Sequence, residues 1–407
     1  MTKTPTIKYY LFPLLLMVMQ GVSFLIFNVR FSPEPGSYDG AIVLANYIAL
    51  FVAVIFSALT THIVLDSKAS NKESKIYSAI KLLIISAGFV LSIKATYSLS
   101  VYIAINGFEG LRTAFYTNPE IINDVFGGFL LYFAFSTIIK PFILFIIIEE
   151  MVKSKKNMFI LIISILTYLS SSIFTGGRFG VYQIALALLI ILYVKKTSSG
   201  KLKKNLVLIS SLVFLLALSH LMQINRDATT LQFSVNESIM SVVDYHILPP
   251  FLLADKVASG FNGLSGCSIP GEATFGTLLM PIQYLFGLKP NEICMYSFGE
   301  YLNSATLTNL KTGDSYNAFG TLFAYIIYDF GMLSPVFTFV FGFILVKVCM
   351  VVPIKYREAY LVYSSLSLYF SLFSSLVTSF AFQAIILLLI SGFFIRRTFR
   401  SLQYVQT

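Results

Sequence analysis

Apolar residues run along this chain in long blocks separated by short polar breaks, and it is these blocks, not an alternation, that define its elements. Blocks at 9–29, 41–65, 79–105, 125–148, 158–174, 179–194, 205–222, 332–352, 359–377 and 380–395 are each close to the roughly 20 residues a helix needs to cross a bilayer. Most connections are short, whereas residues 223–317 form one long loop, and a connection of that size is usually functional. Residues 316–352 are too long an apolar stretch for one span and carry Asp329-Phe330-Gly331 in the middle. Reading 317–330 as a re-entrant or surface-lying helix before a full span keeps the basic C-terminal tail on the same side as the N-terminus. The expected fold is an all-α polytopic membrane protein of about ten transmembrane helices, one re-entrant or interfacial helix and one large outer loop. It divides into 1–222 (helices one to seven), 223–317 (the loop) and 318–407 (the re-entrant helix and helices eight to ten).

Within the loop, Ser234 with Glu237 fits a capping box opening an apolar stretch through Ile247. Pro249-Pro250 ends that stretch, and 251–259 reads as a second short helix closed by Gly260. From there to Asn317, Gly, Pro, Ser, Thr and Asn dominate, with tyrosines at 284, 296, 301 and 316. This part is expected to be ordered coil over a polar cleft rather than a strand array.

Composition supports the membrane reading: of 407 residues 57% are hydrophobic and 12% charged, against about half and a quarter in soluble domains. A soluble enzyme with a single anchor, a β-barrel and a coiled coil are excluded. The first block is too long for a signal-peptide core and no small-residue cleavage site follows it, so it reads as a retained span. The net charge of +10 is a matter of topology rather than a nucleic-acid surface. Of the 29 Lys and Arg, eighteen lie in 1–8, 66–78, 149–157, 195–204, 353–358 and 396–407, on one side of the ten spans, and seven lie opposite. By the positive-inside rule both termini are cytoplasmic and the long loop is outside. Cys267, Cys294 and Cys349 have no metal-ligand spacing, so no metal or cofactor is expected. Cys267 and Cys294 share the outer side, where a disulfide could close.

Charges at mid-membrane are functional candidates because they are costly there. Lys81 and Lys347 lie near cytoplasmic ends and can snorkel. Lys94 and Lys140 sit near mid-depth, and Asp329, the only acid inside an apolar stretch, cannot neutralise both. One of them then faces water or a bound anion, unless carbonyls and serines satisfy it. Arg178 stands in Thr175-Gly176-Gly177-Arg178-Phe179-Gly180, an outer turn opening the sixth span. A cation there opposes the helix dipole, so an anion is the natural partner. Helix-start N–H groups, the close approach allowed by Gly176 and Gly177, and a guanidinium fork make a phosphate or diphosphate site. The alternative is an interfacial arginine on lipid headgroups. Arg226, in Gln223-Ile224-Asn225-Arg226-Asp227, lies at the same face and could converge on the same anion, or simply pair with Asp227. His246 follows Asp244-Tyr245 and, of the three histidines, is the one placed to take a proton outside. It could also just complete local hydrogen bonds, and Asp244 could orient or replace it. A close acid cluster for a divalent cation, a G-x-S-x-G elbow and a P-loop are all absent.

The ten-span layout with its late outer loop, the Thr-Gly-Gly-Arg-Phe-Gly turn, the arginine opening the loop, the histidine before Pro-Pro and the Asn317…Tyr328-Asp329-Phe330-Gly331 segment resemble the bacterial O-antigen polymerases (Wzy), within the oligosaccharide repeat-unit polymerases. The resemblance implies a GT-C-like fold in the inner membrane and no nucleotide sugar. It also implies transfer of a growing glycan from undecaprenyl diphosphate to a new undecaprenyl-diphosphate-linked repeat unit at the periplasmic face. A chain-length regulator and a flippase would be its partners. In that scheme Arg178 and Arg226, with Gly176 and Gly177, hold the diphosphate, and His246 is the base with Asp244 as helper or substitute. Lys94, Lys140, Asn317 and Asp329 stand behind them. An O-antigen ligase is the nearest alternative. A lipid-linked oligosaccharide flippase or transporter is the other, and it would be expected to show internal repeats and paired intramembrane charges.

Overall fold

The computed structural model describes residues 2–26, 31–32, 37–65, 75–117, 125–153, 156–174, 179–195, 246–261, 267, 269–288, 292–294, 298, 301–302, 306–309, 315–317 and 321–372. Its helices are α1 (Leu11–Ile26), α2 (Ser37–Leu59), α3 (Lys75–Thr117), α4 (Phe129–Ala134), α5 (Lys140–Val152), α6 (Met158–Phe174), α7 (Phe179–Lys195), α8 (Pro249–Ala258), α9 (Gly276–Leu285), α10 (Leu322–Phe330), α11 (Ser334–Lys347) and α12 (Ile354–Ser371). A π-helical turn, Phe135–Ile139, carries α4 into α5. Five stretches are long and apolar enough to cross a membrane: Thr6–Ile26, Asp39–Leu59, Tyr77–Tyr102, Phe129–Val152 and Leu322–Met350. With the shorter apolar α6 and α7, they make the chain a multi-pass membrane protein. The expected spans at 205–222 and 380–395 lie outside the described residues, as does the Ser234–Glu237 capping box.

The helices pack through small and polar residues, as membrane helices do where lipid offers no hydrophobic contrast. At the contact of α2 with α11, a Cβ on Gly342 would sit 2.7 Å from Leu50 Cδ1 and 3.2 Å from the Ala53 Cβ, so glycine lets the helices close without displacing Leu50 and Ala53. Beside it the buried Asn46 donates to Ser334 Oγ (2.9 Å) and accepts from Thr338 Oγ1 (2.6 Å). Helix α12 is the shaft of the bundle. It buries nearly every residue from Ala359 to Leu372, including Tyr360, Tyr363, Ser364, Ser365 and Ser371. Surrounding helices shield it from lipid, so its hydroxyls find partners inside: Tyr360 Oη donates to the Leu345 carbonyl (2.8 Å), and the Tyr10 and Ser364 hydroxyls are 2.7 Å apart.

Contacts sort the connections into two ends. At one end β1 (Thr2–Pro5) pairs antiparallel with β3 (His62–Leu65), from Thr2 opposite Leu65 to Pro5 opposite His62. Here Lys347 Nζ donates to Thr60 Oγ1 (2.9 Å), Lys195 Nζ donates to the Val152 carbonyl, and the rings of Tyr77 and Tyr356 are 4.9 Å apart. At the other end β2 (Phe31–Ser32) pairs with β4 (Thr306–Asn309), which pairs with β5 (Ser315–Asn317).

Several boundaries differ from the sequence reading. Hydropathy carries the second span through 65, but α2 stops at Leu59 and 62–65 is a strand. Hydroxyls close the helix, with Thr60 Oγ1 bonding the Phe56 carbonyl (2.7 Å) and Thr61 Oγ1 the Ser57 carbonyl (2.6 Å). Helix and β-branched strand are equally apolar there, so hydropathy could not separate them. The preceding stretch breaks at Leu248, just before Pro249-Pro250, but the prolines themselves open α8, two residues ahead of the expected 251, because proline suits the first helical positions, where its missing N–H is not needed. The long loop contains a hairpin of β4 and β5, so the described fold is helical with two small ribbons. The apolar stretch after 317 does break, with Gly331 at φ 49° between α10 and the next 3₁₀ turn.

Candidate outer-face site

Gln20, fully buried in α1, is the hub of the second end. Its Nε2 donates to the His246 carbonyl (2.7 Å) and the Leu372 carbonyl (3.1 Å), and its Oε1 accepts from Tyr47 Oη (2.9 Å). One amide therefore ties α1, α2, the end of α12 and the residues leading into α8. The half-buried His246 ring lies 6.4 Å from that of Tyr369 on α12. This histidine is thereby held on the bundle and not carried on a free loop.

The chain leaving His246 is seated just as firmly. In α8, Pro249 to Ala254 are all buried. The helix ends in a glycine cap: Gly260 (φ 59°) donates to the Val257 carbonyl and Phe261 to the Lys256 carbonyl, both at 3.0 Å, which satisfies carbonyls the helix leaves open. On its outer side, Lys256 Nζ stands 4.5 Å from the centre of the Tyr301 ring. Burial holds the Asp255 carboxyl above the usual carboxylate range, while Lys256 beside it pulls the other way.

Beyond α8 the loop is stapled by a Cys267–Cys294 disulfide, worth about 3.5 kcal/mol for a loop of that length on the chain-entropy account. Asp329 Oδ2 accepts from the Thr274 N–H (2.6 Å) and Oδ1 from the Ala273 N–H (3.4 Å), and Tyr328 Oη donates to the Cys267 carbonyl (3.3 Å). The carboxylate at the end of α10 thus clamps the disulfide loop to the bundle. Phe298 stacks on Tyr325 (4.6 Å) and meets Tyr328 edge-on (5.2 Å), with Phe261 beside them. This aromatic cluster is core, not a sugar platform. Tyr284, expected in coil over a polar cleft, lies in α9 and stacks on Phe129 at 4.4 Å.

Of the residues singled out by sequence, His246, Asp329, Lys94 and Lys140 have described side chains, and Asn317 is placed by its backbone in β5 opposite Thr306. Gly176, Gly177, Arg178, Arg226 and Asp244 lie outside the described residues. Lys94 Nζ donates to the Phe126 carbonyl (3.3 Å), the carbonyl alternative. Lys140 Nζ lies 5.6 Å from the Tyr168 ring centre; Tyr168 in turn donates to Gln183 on α7.

Sequence reading misses two groups. Gln20 sits in an apolar block, and a lone amide there is the only signal. Glu149 and Glu150 fall by hydropathy in a cytoplasmic connection, which leaves Asp329 as the sole intramembrane acid and Lys81 free to snorkel. Instead the two glutamates are 2% exposed within α5, and Lys81 Nζ lies 3.3 Å from Glu149 and 2.7 Å from Glu150. Lys153 completes the cluster at 2.7 and 2.8 Å from the same carboxylates. The Lys81–Glu150 pairing links α3 to α5 across 69 residues of sequence, which no local pattern encodes. Among the described residues no group of three His, Cys, Asp or Glu could hold a metal ion.

A helical bundle with a polar hub at one end, capped by a disulfide-stapled loop, defines a polytopic membrane protein. The sequence model of the O-antigen polysaccharide polymerase Wzy family matches residues 3–320, and the chain belongs to that family. Searches of curated proteins and of solved structures returned no match.

Proposed function

We propose that this chain is a glycosyltransferase of the bacterial inner membrane that polymerises lipid-linked O-antigen repeat units. The acceptor hydroxyl, on the non-reducing-end sugar of a new undecaprenyl-diphosphate-linked unit, attacks the anomeric carbon of the growing glycan. The bond from that carbon to the diphosphate oxygen breaks, its electron pair leaves with undecaprenyl diphosphate, and the hydroxyl proton passes to His246, with Asp244 as helper or substitute. Arg178 and Arg226, with Gly176 and Gly177, stabilise the charge building on the departing phosphates through an oxocarbenium-like state. Diphosphate leaves readily, so no general acid is required. Lys140 and Lys94 add positive potential below the site, and Asn317 and Asp329 shape its wall.

The observation that carries this reading is the anchoring of His246 by Gln20, at the end of the bundle where α7 begins one residue after Arg178. Support comes also from the matched span, which encloses every residue assigned to diphosphate and base. In this arrangement the chain has ten spans in a GT-C-like fold, divided as 1–222, 223–317 and 318–407, with both termini cytoplasmic and the site periplasmic. The pairing of β1 with β3 and of β2 with β4 groups the connections at two ends as ten spans require, and the basic bias of one set assigns that end to the cytoplasm. A chain-length regulator and a flippase would work beside it.

Purified protein in nanodiscs, given a defined lipid-linked repeat unit, should produce a ladder of products. Arg178→Ala and Arg226→Ala should abolish the ladder, and His246→Ala should slow it by about 10²–10⁴-fold, the range for a lost general base. A full ladder from both arginine variants would sink the diphosphate clamp. Transfer only to a lipid A core acceptor would make the chain a ligase.

A further inference from the structure

We infer that α9 and the turn after it lie in the outer leaflet of the bilayer as an interfacial anchor of the loop. The sequence carries no charge from Ala273 to Leu288, an odd composition for a water-facing segment. Its large side chains are turned outward: Leu285 is 76% exposed and Phe286 84%, with Phe275, Ile282, Leu288 and nearby Ile269 also exposed. One such residue would mean little, but a contiguous apolar face of this kind marks a membrane or partner surface. Ten residues make a helix of about 15 Å, half the hydrocarbon thickness, so α9 cannot cross.

Position decides the occupant. The inner face of α9 is fixed at the mouth of a membrane-spanning stretch: Met280 is buried against Phe129 and Ile293, and Tyr284 stacks on Phe129, the first residue of the span Phe129–Val152. The next residues of that span, Leu130 and Leu131, are themselves exposed, so the apolar face of α9 continues the lipid-facing band of α4. The polar side points inward, where Gln283 donates to the buried Glu272, whose other oxygen accepts from the Ile269 N–H (3.1 Å). A short uncharged helix whose exposed face is apolar and which sits beside the start of a span fits a lipid surface. The inference is independent of the reaction proposed above.

The chain contains no tryptophan, so Phe286→Trp supplies a single fluorescent reporter without background. The variant is reconstituted in phosphatidylcholine brominated either near the headgroup or near the chain end, and Phe89→Trp, exposed in the middle of the stretch Tyr77–Tyr102, serves as the deep reference. The expected result is stronger quenching of the Phe286→Trp reporter by the shallow bromines, the reverse order for the Phe89→Trp reference, and shielding of both from iodide. Leu285→Trp repeats the measurement should the first variant fold poorly. Iodide quenching equal to that of free N-acetyl-tryptophanamide, with no bromine effect, would place the segment in water and overturn the inference. Protection from both quenchers would also overturn it, since a protein surface would then cover the face.

Discussion

Gln20 offers the sharpest test of how the bundle positions His246. Replacing it with methionine keeps the volume and removes two donors and one acceptor. Tyr47 Oη and the Leu372 carbonyl then lose a partner at a buried contact, and each group orphaned in this way costs about 1–3 kcal/mol. The His246 carbonyl is at a part-buried contact and can turn to water at smaller cost. Gln20→Met should therefore lower stability by roughly 2–6 kcal/mol, a large share of the 5–15 kcal/mol typical of a folded protein, read as unfolding in mixed micelles. Activity should fall further than stability requires, because a displaced base loses about 10²-fold for a 1 Å error. Tyr47→Phe is the control: it removes one hydrogen bond of the hub without touching His246, and should cost about 1–2 kcal/mol while the product ladder persists. Wild-type melting in Gln20→Met, or equal loss of activity in Tyr47→Phe, would refute the idea that this amide places the histidine.

Lys81→Met leaves two carboxylates of 2% exposure to share Lys153, and should destabilise by about 3–5 kcal/mol, as breaking a buried pair does. The double variant Lys81→Met/Glu150→Gln should recover part of that loss; strict additivity in the cycle would show that the two side chains do not interact. Gly342→Leu puts a side chain where even a Cβ meets Leu50 at 2.7 Å, and should cost at least about 1–3 kcal/mol by overpacking. Unchanged melting would mean that α2 and α11 are not in contact.

The membrane class and most spans were legible because a bilayer demands long apolar runs, and α1, α3, α6 and α7 begin within about a turn of where those runs do. Strand 62–65 was not legible, since apolar and β-branched residues continue the helix pattern without a break. Nor were β4 and β5, which are too short for alternation to register. The candidate site divides along similar lines, with every role in it a proposal. His246 was found by its chemistry, whereas Gln20 owes its role to contacts 226 and 352 positions away, and the Glu149–Glu150 pair reads locally as a polar loop. Sequence reveals what a residue can do; which partner it meets is decided by packing.

Helix α12 also bears on how the protein is made. It opens on Lys355, Arg357 and Glu358, and tyrosines and serines recur along the rest of its described length. Buried hydroxyls cost least where protein partners receive them, so the helix settles best against α1, α5 and α7, which precede it in the chain. Late synthesis suits that need, and a reporter fused to an N-terminally truncated chain would misjudge on which side of the bilayer the tail emerges.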